Sequence, residues 1–570
     1  MYGSKWKRIV FSLAVAGLLS IGLCMLLNRR QIVQADPGNV WFAKSDGTGS
    51  SCTQAQPCAP QIALAQASDD DTIYLAQGRY TGTGDAVISV SKSITLYGGW
   101  DGTTTAPPAR DPQAYPTTLD GENKRRGLYI SGAVSPRIDG LTITDGNASH
   151  ASTDPGFGGG IYSSGASPVI ANNVIENNTA STSTNKTGEG GGIYIANAGN
   201  GALIEGNQVL SNVASSAYHG YGGGMYLLLA PSAQVADNVV LQNTASITGG
   251  GGLGGGIYVS LSDGATITSN RIEHNVGQQG CSPFISYGGG VYCYNTIGLT
   301  LSSNTIRHNT ASVSSSGNGG GIRIKFCDRV TVAGNTLQDN IGCASTTTGS
   351  GRGGGLETYR SDVTISANWV TGNTAGLGTS PSYGGGLYLS RDTSFTMTNN
   401  IVAANHSNYQ GGGMAFETGG ASEPVSGILV HNTFAANDQG SGEGRIAIHL
   451  NTPYVTLVLT NNLISGHTYG VYATTNSTAT LDHTLFYANS AGDTGGAGTI
   501  ANANPVVGQD PLLNSEYHLQ LGSPASDAGI AIPWLRNDVD GDSRPFGAGY
   551  DIGADELYIR SMFLPVVLKK

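Results

Sequence analysis

The sequence predicts an all-β protein in which the chain winds into one parallel β-helix, a solenoid with short strands on every turn. Three observations support this fold: a long internal repeat, an alternation of apolar residues within each repeat, and a composition unsuited to helices. The 570 residues include 86 glycines, and only 12% are charged, about half of the roughly 25% usual in soluble domains. This composition excludes a coiled coil or helical bundle, and 39% hydrophobic residues exclude a disordered chain.

Two motifs recur at intervals of 27 to 34 residues. Three glycines followed by an apolar residue begin at Gly158, Gly190, Gly222, Gly254, Gly288, Gly319, Gly353, Gly384 and Gly411. The pattern Asn-x-apolar-x-x-Asn begins at Asn173, Asn207, Asn238, Asn270, Asn304, Asn335, Asn368, Asn400 and Asn432, and a tenth copy at Asn462 ends in His467. Repetition at one period indicates a stack of similar structural units.

Each repeat contains the pattern of short strands. Apolar residues such as Ile193 and Ile195 alternate after each glycine triplet, which predicts a strand with one buried face. A second apolar pair, such as Ile267 and Ile272, flanks each first Asn. Asn tolerates the left-handed conformation that a bend between strands requires, and stacked Asn side chains can form a hydrogen-bonded ladder.

The two ends of the chain differ from the repeats. Lys5, Lys7 and Arg8 precede an apolar run over residues 9–27, so we expect an exported chain, extracellular or on the cell surface. This run is either a cleaved signal peptide or an uncleaved membrane anchor, the one expected membrane contact. The predicted organisation is a signal segment (1–35), an N-terminal cap with the first turns (36–125), the repeats (126–500), a C-terminal cap (501–556) and a short apolar and basic tail (557–570).

The cysteines bear on the disulfides of the protein, and the charge balance bears on its binding partners. Cys52 and Cys58 lie close together in a loop-like stretch of an exported chain, which favours a local disulfide. The spacing leaves open how Cys281, Cys293, Cys327 and Cys343 pair. Beyond residue 35 the chain carries 23 basic and 39 acidic residues, so we expect no nucleic-acid partner.

The motifs resemble those of a known superfamily. The glycine and Asn repeats resemble the right-handed parallel β-helix of pectate-lyase-like bacterial surface proteins, and the stretch from Asp71 to Leu75 is similar to their N-terminal region. Asp510-Pro511, Asp540-Gly541, Arg544-Pro545 and Asp551-Ile552-Gly553-Ala554 resemble the C-terminal "choice-of-anchor Q" region. The resemblance implies a right-handed helix, a surface location and a polysaccharide or cell-envelope partner. It leaves activity open, because the superfamily includes lyases, hydrolases and adhesins.

Candidate catalytic residues come from this resemblance. Arg323 and Lys325 match an Arg-x-Lys element of polygalacturonase-like glycosidases, and both should point outward. The alternative is an ion pair between Arg323 and Glu357 one turn later. Asp328 and Asp362, each nine residues after the start of a glycine triplet, and Arg360 would supply the calcium ligands and base of a lyase. Calcium is therefore expected only for a lyase, and ordinary turn residues are the alternative.

Two columns of stacked side chains are further candidates. His274, His308 and Asp339 occupy one position on consecutive turns, where they could share a metal ion or a proton, or simply stack at a strand end. An outward stripe of tyrosines could stack on the sugar rings of a long glycan, or on itself as strand surfaces often do. Its members are Tyr162, Tyr194, Tyr226, Tyr258 and Tyr292.

The resulting expectation is a cell-surface or secreted β-helix that binds polysaccharide or another surface along the rod without catalysis. The alternatives are a pectate-lyase-like lyase or glycoside hydrolase and a purely structural envelope protein. A tyrosine stripe covered by the Ser- and Thr-rich loops would favour the structural protein. The stretch from Asp538 to Asp542 resembles part of a calcium loop, but its glycine occupies the wrong position for that motif.

Overall fold

A computed structural model of the chain describes residues 38–104, 108–199, 201–280, 284–437 and 445–558. The predicted signal segment, Cys281 and most of the C-terminal tail lie outside these ranges. Within them the chain forms the predicted all-β solenoid, in which every pairing between named strands is parallel. No helix in the described ranges has the length and apolar character needed to span a membrane.

Three long sheets form the walls of the solenoid, and each complete turn contributes one strand to each sheet. Sheet I has 14 strands, with bounds Ala86–Val90, Arg126–Ser131, Ile161–Ser164, Ile193–Ala196, Met225–Leu228, Ile257–Ser260, Val291–Tyr294, Ile322–Lys325, Leu356–Tyr359, Leu387–Ser390, Met414–Glu417, Ile446–Leu450, Tyr469–Ala473 and Gly492–Gly495. Sheet II has 16 strands, with bounds Val40–Ala43, Thr72–Ala76, Thr95–Trp100, Arg137–Asp139, Val169–Ala171, Leu203–Glu205, Gln234–Ala236, Thr266–Thr268, Thr300–Ser302, Val330–Ala333, Asp362–Ser366, Thr393–Thr398, Val425–Val430, Val455–Thr460, Thr478–Asp482 and Thr499–Ala503. Sheet III has 15 strands, with bounds Gly78–Tyr80, Thr117–Asp120, Thr142–Thr144, Val174–Glu176, Gln208–Leu210, Val239–Leu241, Arg271–Glu273, Thr305–Arg307, Thr336–Gln338, Trp369–Thr371, Ile401–Ala403, Thr433–Ala435, Leu463–Ser465, Leu485–Tyr487 and Val506–Val507.

Two shorter sheets were not expected from the sequence pattern. Sheet IV has seven strands, Thr179–Ser181, Val213–Ser215, Thr244–Ser246, Val276–Gln278, Thr310–Ser312, Ile341–Cys343 and Thr374–Gly376. Sheet V has six strands, Gly188–Glu189, Gly220–Tyr221, Gly252–Leu253, Ser286–Tyr287, Gly317–Asn318 and Gly351–Arg352. Both come from the Ser-, Thr- and Gly-rich segments between sheet III and the next glycine triplet.

The main core is a column of apolar side chains inside the three long sheets. Ile193, Ile195, Ile204 and Val209, which belong to one turn, are all fully buried. Corresponding residues of neighbouring turns face one another in register, as Ile193 and Met225 do. Burial of this continuous apolar column is the main force that holds the turns together.

Two ladders of buried Asn side chains run along the stack. In both ladders the Asn side-chain amide donates to the side-chain oxygen of the next Asn, as from Asn275 to Asn309 over 3.0 Å. The same amide donates to a backbone carbonyl of the preceding turn, for Asn275 that of Val240. His467 continues the second ladder, where its Nε2 accepts the backbone N–H of Asn437. The paired motif Asn is therefore a structural residue.

The glycine triplets carry the chain from sheet V to sheet I through a crowded corner. The first glycine takes a positive φ, +61° at Gly190. A Cβ on the third glycine, Gly192, would lie 2.7 Å from the carbonyl oxygen of Gly224 on the next turn. Only glycine fits this close backbone approach.

The N-terminal turns begin with Val40–Ala43 as the first strand of sheet II. A disulfide joins Cys52 and Cys58, and one helix, Pro60–Gln66, follows with proline in its first turn. Three of the remaining cysteines, Cys293, Cys327 and Cys343, are buried free thiols.

The C-terminal region extends the solenoid and then folds back over it. Thr499–Ala503 and Val506–Val507 add strands to sheets II and III, and the following residues fold back along the outer face of sheet III. Val539 and Ala554 pack on Ile401, Ala403 and Ala435, and Leu519, Ala525 and Ile552 pack on Leu463 and Leu485. The cause is that the late strands of sheet III carry apolar residues on both faces, which require a covering segment.

Candidate functional site

The tyrosine column is buried, which corrects the expectation of an exposed stripe. Its side chains point away from the main core, but sheet V covers them, and they are only 2–6% exposed. Phe157, Tyr221, Leu253 and Tyr287 pack against this second core, whose members are Tyr162, Tyr194, Tyr226, Tyr258 and Tyr292. Their rings lie too deep to stack on a polysaccharide.

Burial also changes the ionisation of this second core. It raises the pKa of Tyr162 to about 12 and the pKa of Glu189, on the covering sheet, to about 7. Neighbouring rings stack at short range, with centroids 4.6 Å apart for Tyr226 and Tyr258, except that Tyr194 and Tyr226 meet edge-to-face. The tyrosine column therefore has a packing role, in which it holds sheet V against sheet I.

Arg323 and Glu357 continue this column as an ion pair on consecutive turns. Arg323 Nε lies 2.7 Å from Glu357 Oε2, and both side chains are nearly fully buried. The guanidinium also lies 3.7 Å from the centroid of the Tyr287 ring. Burial raises the pKa of Glu357, although Arg323 acts in the opposite direction. Arg323 points outward as expected, but the covering sheet makes it inaccessible to a polymer.

The column of His274, His308 and Asp339 lies at the turn between sheets III and IV. All three residues have φ near +53°, and the two imidazole rings are exposed and stacked with centroids 4.9 Å apart. These residues do not belong to the one group of three potential metal ligands found among the described residues. Their arrangement is that of stacked polar side chains at a strand end.

An exposed ridge follows the corner between sheets I and II. We call this surface the corner ridge; each member directly follows a strand of sheet I and has a positive φ between 44° and 56°. Leu229, Leu261 and Phe326 expose 44%, 39% and 36% of their surface. Bulky residues rarely adopt this conformation, and such strain often accompanies functional surfaces. The ridge consists of Leu229, Leu261, Asn295, Phe326, Arg360 and Arg391.

Aromatic and cationic side chains meet at the middle of the corner ridge. The Phe326 ring lies edge-to-face with Tyr294 and Tyr359, at centroid distances of 5.8 and 5.5 Å. Lys325 Nζ lies 5.0 Å from the Phe326 ring and 5.3 Å from the Tyr359 ring. Burial, reinforced by Arg323 and Arg360, lowers the pKa of Lys325. The cluster combines an exposed apolar face with hydrogen-bond donors.

A shallow groove of about 360 Å³ adjoins this cluster on the side of sheet II. It brings together three residues singled out in the sequence, Asp328, Arg360 and Asp362, with Phe326 and Asp392. A second groove of about 420 Å³ continues across sheet II and shares Asp362 with the first. Together they form a path that begins at the corner ridge among Asp and Ser side chains and continues over Phe395, Ile428 and Val458.

The arginines beside the groove are held in ion pairs with glutamates. Arg360 pairs with Glu423, and Arg391 Nη2 lies 2.8 Å from Glu417 Oε1. Asp328 and Asp362 have no third metal ligand close enough to share an ion among the described residues.

The sequence pattern did not reveal the corner ridge. Leu229, Leu261 and Phe326 stand where a turn residue such as Asn or Gly is expected, and apolar residues at that position were the available signal. Asp392 was missed because it lies eight residues after Gly384, one position away from the column that contains Asp328 and Asp362.

The chain matches a known protein family over most of its repeats. Residues 117–352 and 252–486 match the family model described as a right handed beta helix region. No curated protein matches the chain in sequence.

Solved structures show similarity at low sequence identity. Pectate lyase Pel9A is 11% identical, with 91% of this chain and 97% of that chain covered and a TM-score of 0.27. Tailspike protein 3 of bacteriophage CBA120 is 10% identical, with 80% and 61% covered and a TM-score of 0.36. The A-module of the Azotobacter vinelandii mannuronan C-5 epimerase AlgE6 is 13% identical, with 81% and 95% covered and a TM-score of 0.28.

Proposed function

Since the chain belongs to the right-handed β-helix family, we propose that it is an exported surface or secreted protein that binds polysaccharide along the corner ridge without cleaving it. The observation that carries this proposal is the row of exposed, bulky side chains at one position on successive turns. A rod with a regular ridge matches a ligand that is itself a regular polymer.

The chemistry of the ridge suits sugar rings. A pyranose has an apolar C–H face that packs on an aromatic ring, and Phe326 offers an exposed ring for this contact. Lys325, Arg360, Asp328 and Asp362 surround that ring with donors and acceptors for hydroxyl groups. Neighbouring turns lie about 4.8 Å apart, so the six ridge residues extend over roughly 24 Å, the length of several sugar rings.

The arrangement of charges supports binding without cleavage. The guanidinium groups of Arg360 and Arg391 are held in ion pairs with glutamates, which leaves neither as a free base. The polysaccharide contact is assigned to the ridge because the tyrosine column lies under sheet V.

The test uses the full chain and a panel of acidic and neutral polysaccharides, with and without calcium. Retention on the polymer and the appearance of new chain ends are both measured. We expect retention without cleavage, weakened in Phe326→Ala. Trp534→Ala is the matched control, because Trp534 is an aromatic residue 63% exposed away from the ridge.

Other outcomes would overturn the proposal in defined ways. Calcium-dependent unsaturated chain ends that disappear in Asp328→Asn would indicate a lyase. New reducing ends without unsaturation would indicate a glycoside hydrolase. Equal retention of Phe326→Ala and wild type would remove the ridge as the binding surface, and no retention on any polymer would favour a structural envelope protein.

A further inference from the structure

Three ligand-type side chains meet in the C-terminal region that covers sheet III. His518, Asp540 and Asp555 come from three separate segments of this region, and a nitrogen or oxygen atom of each lies within 4.8 Å of the others. His518 Nε2 is 3.3 Å from Asp540 Oδ2. They lie apart from the corner ridge, on another face of the solenoid, and the proposed polysaccharide binding does not use them.

The imidazole of His518 is fixed in place but lacks a hydrogen bond at the atom that faces the carboxylates. Its ring packs edge-to-face on Trp369 of sheet III, with centroids 5.2 Å apart. Its Nε2 is buried and has no hydrogen-bond partner among the described residues, although Asp540 is near. A buried ring nitrogen without a partner carries a free-energy cost that a ligand at this point would remove.

The surroundings of the Asp555 carboxylate also favour a bound ligand at this point. It is only 7% exposed, and its Oδ2 accepts the backbone N–H of Leu519 over 2.7 Å. Burial, together with the neighbouring carboxylates of Asp538 and Asp540, raises the pKa of Asp555 to about 6. A buried carboxylate this close to other carboxylates is stabilised by a compensating positive charge.

We propose that His518, Asp540 and Asp555 bind one divalent transition-metal ion of the zinc class. One imidazole nitrogen and two carboxylate oxygens are typical zinc ligands, whereas calcium prefers six to eight oxygens. Two ligand atoms of a tetrahedral zinc ion are about 3.4 Å apart, which matches the 3.3 Å between His518 Nε2 and Asp540 Oδ2. Asp555 completes the site after a small side-chain rotation.

The surroundings hold the ligands close to these positions. Asp538 Oδ1 accepts the backbone N–H groups of Asp540 and Asp542 and so shapes the loop that carries Asp540. Beside Asp555, a fully buried ion pair joins Arg544 Nη1 to Glu556 Oε2 over 2.7 Å. Asp540 is 39% exposed, which gives the ion a path from solvent and leaves room for a water as fourth ligand. The ion would fasten three segments of the covering region to one another and, through Trp369, to sheet III.

The experiment treats the full chain with a chelator, removes the chelator, and titrates zinc by calorimetry while metal content is counted by mass spectrometry. We expect one equivalent of zinc, a cobalt derivative with the visible absorption of a tetrahedral site, and a higher melting temperature with zinc. His518→Gln should weaken zinc binding by more than about tenfold. His483→Gln is the matched control, since His483 also contacts a carboxylate, Asp482, at 2.8 Å but has no third ligand nearby in the described chain.

Several results would overturn the proposal. These are the absence of stoichiometric zinc binding, equal weakening in the two histidine variants, and uptake of calcium in place of zinc. If His518→Gln fails to fold, Asp540→Asn takes its place, because Asp540 lies at the exposed rim of the site. The circular dichroism of each variant without metal separates lost binding from lost structure. A wild-type protein that binds zinc and an Asp540→Asn variant that binds it equally well would also refute the assignment.

Discussion

Replacing His467 by Asn should remove an acid-sensitive part of the protein's stability. His467 continues the second Asn ladder, where its Nε2 accepts the backbone N–H of Asn437 over 3.2 Å. Its Nδ1 is buried without a hydrogen-bond partner among the described residues. Because Nε2 accepts this hydrogen bond, the neutral ring carries its proton on Nδ1. A second proton would have to go to Nε2, where it would have no acceptor and would break the bond to Asn437. Burial lowers the pKa of His467 to about 3.

The size of the effect follows from the difference between the folded and unfolded pKa values. An unfolded histidine has a pKa of about 6.5, so below that pH the unfolded chain binds a proton that the folded chain excludes. The contribution of His467 is therefore intact above pH 6.5 and is lost as the pH falls from there towards 3. At about 1.36 kcal/mol for each pH unit, the loss between pH 6.5 and pH 4.5 amounts to about 2 kcal/mol.

The assay is urea denaturation followed by far-ultraviolet circular dichroism at several pH values, for the wild type and His467→Asn. Other buried groups, such as His431, titrate in both proteins and cancel in the difference between their free energies of unfolding. Between pH 6.5 and pH 4.5 we expect the wild type to lose about 2 kcal/mol more of its free energy of unfolding than the variant loses. A difference that stays constant with pH would refute the reasoning, since the variant's smaller side chain adds only a pH-independent cost.

Substitutions at three further positions test the packing of the solenoid, the first two positions by the same denaturation assay and the third by the yield of folded protein. Asn309→Ala leaves the buried backbone N–H of Asn275 unpaired and should cost about 3 kcal/mol; a loss below about 1 kcal/mol would contradict the ladder's structural role. Tyr226→Ala should cost about 4 kcal/mol by opening a cavity under sheet V, and Tyr226→Phe about 1 kcal/mol; equal small losses would mean that the ring is not buried. Gly192→Ala places a Cβ 2.7 Å from the Gly224 carbonyl oxygen and should lower the yield of folded protein, whereas wild-type yield would show that the corner can relax.

The repeat pattern contained most of the fold. Alternating apolar residues such as Ile193 and Ile195 specify a strand with an inward face, and a side chain that must avoid water can only point to the core. The paired Asn and the glycine triplets mark the bends, because few other residues satisfy the backbone there. The tenth motif, which ends in His467 instead of Asn, is also recognisable in the sequence as a continuation of the ladder. These features are local, so a single chain suffices to read them.

The functional surfaces depended on contacts between distant residues. Strands of two or three residues, such as Gly220–Tyr221, are too short to show a periodicity in the sequence. The sequence pattern therefore did not predict that sheet V covers Tyr226 and its neighbours. The corner ridge arises because successive turns bring Leu229, Leu261 and Phe326 together. His518, Asp540 and Asp555 meet only because their segment folds back on sheet III. Local alternation sets which side of a strand faces the core, but what lies over the other side is set by packing in three dimensions.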